Sequence, residues 1–292
     1  MPSVSIIIPI LNRSAYLPRL FQSLTAVDYE DLEVIFVDNG SSDGSLSHCR
    51  AFAKDAPMVV RVLEEAERGA SKARNRGLTA CRTEWVYFFD SDDDISPTFL
   101  EELMPLTAGF DMVAFPTLQE VKGRVAQRSF LPSRKPSSQI LSATLNTQGM
   151  LFRTEYLRSI GGWNGELSIW DDWELGVRAL LHSPRIRWFT LHPFHHIYVH
   201  PDSITGPSMT SRRDVLDQAL QTVERELSND CDRRALYLRR CILNGTLRRE
   251  GASPLYLPDD GFSLLVRLYG KWLSSYTAWG GRGAWRMALI FC

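Results

Sequence analysis

At 292 residues, with 44% hydrophobic and 23% charged side chains, the chain has the apolar content to build one large domain or two small ones, and it lacks the composition of a disordered segment. The formal net charge of −1 hides an asymmetry: residues 1–104 hold seventeen acidic and ten basic side chains, residues 205–292 nine and thirteen. Five scattered cysteines with no C-x-x-C pair exclude a zinc ribbon or a disulfide framework and point to a reducing compartment, the cytoplasm.

The chain opens with MPSVSIIIPI, an apolar run that ends at Asn12 and Arg13 without a basic segment before it. It reads as a first strand and not as a leader or a spanning helix. Ser3 to Ile10, Glu33 to Val37, Met58 to Leu63 and Trp85 to Phe89 are strand-length apolar runs. Between them, Ala15 to Thr25, Ser45 to Lys54 and Ala70 to Ala80 carry apolar residues at helical spacing. The alternation predicts an α/β fold with a mostly parallel central sheet covered on both faces. Ligands of such sheets sit beyond the carboxyl ends of the strands, where Asn12, Asp38 and Asp90 fall.

From Phe110 to Phe130 the pattern is strand-like with polar interruptions, and Pro132 to Ser138 reads as a Pro/Ser/basic loop. GMLFRTEYLRSIGGW then spells a strand, a short helix and a Gly-Gly turn. Asp171 to Leu181 reads as a helix, Arg187 to His200 as one or two strands, and the chain from Ser211 as mostly helical. A catalytic domain over residues 1–205 and a helical extension over residues 206–292 are expected.

The stretch WVYFFDSDDDISP places four carboxylates in five positions after a strand. Asp90 and Asp92 can converge on one hard cation, which prefers carboxylate oxygens. The plainer alternative is that Asp94 or Ser96 caps a helix near Pro97 to Leu106, for which one such residue suffices. An EF-hand spacing also exists, with Asp90, Asp92, Asp94 and Glu101 at its first, third, fifth and twelfth places. It fails because Ile95 occupies the glycine position and the preceding segment is β-rich.

Other constellations join this one: IIIPILNR, VIFVDNGSSDGS, GASKARNRGL, WDDWELGVR and YVHPDSIT. With FFDSDDD they resemble the family 2 glycosyltransferases of the GT-A fold, in that family's order, over roughly residues 3 to 205. The resemblance implies an enzyme that moves a single sugar from a nucleotide-diphosphate donor to a glycan or lipid-linked acceptor hydroxyl, with Mn2+ or Mg2+ stabilising the departing diphosphate. It implies Asp92 as the main metal ligand and Asp90 near the ribose or the metal. It implies Asp38 as an acceptor from the base, and Pro9, Asn12, Arg74 and Asn75 along the nucleotide side. Arg74 has an alternative as the ion-pair partner of an aspartate.

The family's helix-opening Glu-Asp pair reads Asp171 and Asp172 here, with Asp172 the candidate general base for an inverting displacement. Helix capping is the competing role for both. Trp170 and Trp173 either stack on a sugar or pack in the core. His200 matches a metal-binding or diphosphate-contacting histidine. The arginine often found two residues earlier is Tyr198 in this chain, and His192, His195 and His196 read as surface or core residues. No Q-x-x-R-W motif of the processive synthases occurs, which favours single addition. A catalytically silent sugar- or nucleotide-binding module of the same fold is the alternative. A nucleotidyltransferase is weaker still, because PILNRSAY is no basic, Gly-rich phosphate loop. No nucleic-acid partner is expected.

Residues 261–292 hold four basic side chains, no acidic one and seven aromatics. Leu265, Leu268, Trp272, Tyr276 and Trp279 follow helical spacing, with Arg267 and Lys271 on another face. Such a helix either packs its stripe on the catalytic domain, the preferred expectation, or makes peripheral contact with an anionic membrane.

Overall fold

The computed structural model describes residues 2–121, 123–199, 209–258, 261–281 and 283–292. Its first part follows the expected alternation: β1 (Val4–Ile10), α1 (Leu17–Thr25), β2 (Leu32–Asp38), α2 (Ser45–Asp55), β3 (Val59–Glu64), α3 (Ala70–Ala80) and β4 (Trp85–Phe88). Helix α4 (Phe99–Leu103) leads to β5 (Met112–Ala114), β6 (Thr117–Val121) and β7 (Arg124–Gln127). Next come α5 (Pro136–Ser142), β8 (Met150–Arg153), α6 (Thr154–Ser159), α7 (Asp171–Leu181), β9 (Ile186–Trp188) and β10 (Phe194–Val199). The remaining helices are α8 (Arg213–Glu226), α9 (Asp230–Arg249), α10 (Leu264–Ala278) and α11 (Ala284–Ala288).

Contacts group the chain into two units. One comprises Met1–Phe130, Leu145–Ser168 and His182–His200, the other Leu131–Thr144, Ile169–Leu181 and Pro201–Cys292. The division is not the single cut after residue 205 drawn from the sequence. It places α5 and α7 with the C-terminal helices because α5 packs on α7 and α9, and α7 on α8.

In the first unit a seven-stranded sheet runs in the order β3-β2-β1-β4-β8-β5-β9, and a three-stranded sheet in the order β10-β6-β7. β1 is parallel to β2 and β4, and β8 is antiparallel to its neighbours β4 and β5. The inner strands are apolar at successive positions because both faces are covered: Ile6, Ile7, Ile8, Val34, Ile35, Phe36, Trp85 and Val86 have no exposed surface. Each such side chain contributes about 1.5–3 kcal/mol through burial.

The strand order reverses between β1 and β4, and their pairing ends early, at Ile7 with Phe88. Pro9 lies on the same edge of β1 as Ile7, two residues further on. Its missing N–H therefore falls beyond the last β4 partner, which is how a proline is tolerated in an inner strand. Past that point the two chains diverge and open a crevice at the carboxyl end of the sheet. Helix α3 lies close over β1, since a Cβ on Gly77 would stand 2.5 Å from Ile7 Cγ2. That approach holds Arg74 at the crevice.

The second unit is helical. Asn229 caps α9, accepting from Asp232 N at 2.9 Å, and buried Arg240 is neutralised by Asp217 and Glu224, each at 2.9 Å. The expected loop over Pro132 to Ser138 becomes helix at Pro136, where a proline suits the first turn, and Ser137, Ser138, Ile140 and Leu141 are buried. No helix among the described residues is long and apolar enough to cross a membrane.

Candidate active site

The loops that follow β1 and β2 are fastened to one another. Asn12, in a left-handed conformation (φ 52°), accepts from Ser42 N at 2.8 Å, and its own N–H donates to Ser41 Oγ at 3.0 Å. Arg13 N donates to Ser45 Oγ and Ser14 N to Asp43 Oδ2, at 2.8 and 2.9 Å. Asn39 extends the brace by donating to the Glu65 and Glu67 carbonyls and accepting from Gly69 N. These bonds satisfy polar backbone in a sharp turn and hold the end of β2 rigid.

Within that frame sits Asp38, 4% exposed. Its Oδ2 accepts from Gly40 N at 3.1 Å and Ser41 N at 3.0 Å, whereas its Oδ1 is buried without a hydrogen-bond partner among the described residues. A buried carboxylate oxygen left this way is costly unless a ligand donor reaches it.

The acidic turn after β4 lies at the same end of the sheet. Asp90 accepts from Arg74 at 2.8 Å on one oxygen and from Gln148 Nε2 at 2.6 Å on the other. Gln148 also donates to Asp93 Oδ2 at 2.8 Å, so one buried amide spans two carboxylates. Asp93 accepts from Tyr198 N at 2.8 Å; burial, and then the charges of Asp90 and Asp92, push its carboxyl well above the usual range. Asp94 pairs with Arg19 at 2.8 Å and accepts from the Tyr198 hydroxyl at 2.7 Å. Asp92 faces Arg13 across 3.9 Å, and its carbonyl accepts from Arg19. No aspartate of the cluster caps α4, whose N-cap is Thr98, so the capping alternative is set aside.

Arg19, Gln148 and Tyr198 are the braces that sequence reasoning missed. Arg19 stacks on the Tyr198 ring at 4.0 Å, so the tyrosine at the family's arginine position supports the acidic turn, and burial together with Asp94 pushes its phenol up to about 12. Behind the turn, His195 is 4% exposed among Tyr87, Phe89, Phe99 and Phe115. It accepts from Ser96 N at 3.0 Å, and burial lowers its imidazole to about 3, so it is a neutral core residue. His192 pairs with Glu102 and His196 with Glu120.

Arg74 is 5% exposed, paired with Asp90 and stacked on Trp163 at 4.4 Å, the ion-pair role held open from the sequence. Asn75 grips the Trp163 backbone through both ends of its side-chain amide, Nδ2 donating to the carbonyl at 2.7 Å and Oδ1 accepting from the N–H at 2.9 Å. Pro9, Asn12, Asp38, Arg74, Asn75, Asp90 and Asp92 thus all fall in the first unit, on or beside the carboxyl ends of β1, β2 and β4. His200 lies outside the described residues.

Asp171 and Asp172 open α7 in the second unit and are half-buried. Asp172 Oδ1 accepts from Trp173 N at 2.7 Å. Trp170, just before them, has φ 59° and packs between the tilted Trp173 ring and the Arg239 guanidinium, at 5.1 and 4.9 Å. Trp173 is 2% exposed and donates to the Ile140 carbonyl, which makes it a packing residue. Buried Glu174 is neutralised by Arg178 at 2.7 and 3.0 Å and is not available as a base.

Among the described residues, no group of three or more His, Cys, Asp and Glu is arranged to hold a metal. Asp90 and Asp92 nevertheless offer hard oxygen donors on one turn, in a cluster whose negative charges already raise Asp93. Magnesium-type sites commonly use one or two carboxylates and complete their shell with water and substrate phosphates. The donor set fits such an ion.

Residues 5–147 match the family described as Glycosyl transferase family 2. Over this segment, just under half of its length, the chain is similar to that family. It is 36% identical to the uncharacterized glycosyltransferase YibD of Escherichia coli (strain K12) over 109 residues, 37% of this chain and 31% of that protein. The chain spans about a third of the length of the curated relatives it matches first. Its fold is that of S. aureus TarS 1–349 in complex with UDP, with a TM-score of 0.68, 19% identity and coverage of 99% of this chain and 90% of that one. It is also that of the mannosyltransferase PcManGT from Pyrobaculum calidifontis in complex with GDP-Man and Mn2+, at TM-score 0.63, 18% identity, and 99% and 84% coverage. The arrangement is the GT-A fold.

Proposed function

We propose that this chain is a glycosyltransferase that moves one sugar from a nucleoside-diphosphate donor to a hydroxyl of a glycan or lipid-linked acceptor, with inversion at the anomeric carbon. The observation that carries it is Asp38, whose buried Oδ1 at the end of β2 has no hydrogen-bond partner among the described residues, in the same unit as the acidic turn after β4. That oxygen would accept an N–H of the donor's base. Pro9 and Asn12 would line the nucleotide beside it, while Arg74 and Asn75 act mainly by fixing Asp90 and Trp163.

Asp92, helped by Asp90, would hold Mn2+ or Mg2+, with His200 a further candidate ligand. When bound, such a cation neutralises charge on the departing diphosphate. Asp172 would take the proton from the acceptor hydroxyl as its oxygen attacks opposite the diphosphate, and Asp171, shorter than the family's Glu, would orient the acceptor. The nucleotide and Mn2+ named with the fold neighbours support this assignment by analogy. The absence of a Q-x-x-R-W motif favours single addition, and the free state of all five cysteines favours the cytoplasm.

Thermal-shift screening of UDP-, GDP-, CMP- and dTDP-sugars with Mn2+ tests the proposal. A matched donor at about 100 times its Kd adds about 2.7 kcal/mol of stability, a rise of several degrees. If no nucleotide class stabilises the protein, the assignment fails. Mass-spectrometric consumption of the donor then separates a transferase from a module that only binds.

A further inference from the structure

Helix α10 has two unlike faces. Val266, Gly270, Leu273, Ser274 and Thr277 are buried, and the small residues among them let α9 approach closely. A Cβ on Gly270 would stand 2.8 Å from Cys241 Sγ, and one on Gly245 2.3 Å from the Ser274 carbonyl oxygen. This crossing fixes the helix about its own axis.

The opposite face carries Leu264, Leu265, Leu268, Trp272 and Trp279, which are 64%, 66%, 54%, 48% and 91% exposed. Leu264, Leu268 and Trp272 recur every fourth residue and form one stripe. The expectation that this stripe packs against the rest of the chain is overturned, because the small-residue face makes the packing contacts. Single exposed apolar residues are ordinary on protein surfaces; a contiguous apolar stripe marks an interaction surface.

Arg267 and Lys271 flank the stripe, and residues 261–292 contain no acidic side chain. Tyr269, Trp272 and Tyr276 stack along the helix, with ring centroids 5.6 and 5.4 Å apart, and Phe291 stacks on Tyr269 at 4.2 Å. Apolar stripe, flanking cations and amphipathic aromatics together suit the boundary between headgroups and acyl chains.

We propose that this face of α10 lies on an anionic lipid bilayer, with Leu264, Leu265, Leu268 and Trp272 entering the interface and Arg267 and Lys271 contacting lipid phosphates. The charge selects lipid over a second copy: α10 itself carries Arg267 and Lys271 and no acidic residue, so a symmetric pair would bring like charges together. The surface is independent of the glycosyl-transfer proposal and would stand if that failed.

Co-sedimentation of the full chain with phosphatidylcholine vesicles, with and without phosphatidylglycerol, tests it. Binding is expected to rise about tenfold or more when phosphatidylglycerol is present and to fall with salt. The double variant Leu264→Glu, Leu265→Glu should lose that binding while its melting temperature changes little, because both side chains are largely exposed. Arg267→Glu with Lys271→Glu should lose the preference for phosphatidylglycerol. Wild-type protein that ignores anionic vesicles, or variants that bind as wild type does, would overturn the proposal. So would sedimentation velocity showing a dimer that Trp272→Glu dissociates, which would assign the stripe to a second copy.

Discussion

Two acidic turns of this chain differ in how their charge is held. The turn after β4 crowds Asp90, Asp92, Asp93 and Asp94 together and braces them with Arg19, Arg74, Gln148 and Tyr198. The first turn of α7 has two half-buried aspartates at a helix N-terminus, with Asp172 bound to the adjacent backbone N–H. A fixed excess of negative charge suits a cation and its phosphate ligands, whereas a half-buried carboxylate at a helix start suits the transient acceptance of a proton. Donor binding and chemistry should therefore separate under mutation.

The largest effect is expected at α7. Asp172→Asn keeps the shape and removes the basicity, so transfer should fall by about 10³-fold while donor affinity stays the same. Turnover within a few-fold of wild type would reduce Asp172 to a helix cap.

On the donor side, Asp38→Asn can still accept from Gly40 and Ser41 through its carbonyl oxygen, but it turns the unpartnered acceptor into a donor. Nucleotide affinity should fall by about tenfold or more, equally with and without metal, and with little loss of melting temperature. An unchanged affinity measured by calorimetry would break the assignment of that oxygen to the base.

The smallest effect concerns the support behind the acidic turn. Burial holds His195 at about 3, against 6.5 in the unfolded chain. Between these values the unfolded state takes up a proton that the folded state refuses. Stability contributed by the neutral ring is thus present above pH 6.5 and is lost as pH falls toward 3. His195→Asn suits the positive φ of 56° and retains an acceptor for Ser96, so its melting temperature should depend less on pH over this range. Parallel pH profiles would show that His195 is not a buried neutral group.

The β-α alternation was legible because apolar period and turn chemistry are local properties, and they placed Asp38 and Asp90 at strand ends before any coordinates. The braces were not legible. Gln148 reaches Asp90 across 58 positions and Tyr198 reaches Asp94 across 104, so no short motif records either bond. Arg19 lies on α1, far in sequence from the Asp94 and Tyr198 it meets. Pro136 resembled loop punctuation but opens α5. The stripe on α10 was visible as a period, yet the direction it faces depends on where Gly245 and Gly270 let two helices meet.

Calorimetric titration of the matched nucleoside diphosphate, with and without Mn2+, into wild type and Asp92→Ala bears most directly on the acidic turn. A cation held there predicts that Mn2+ strengthens wild-type binding by about tenfold or more, and that Asp92→Ala loses this increment while keeping the metal-free affinity. An equal increment in both proteins would contradict it.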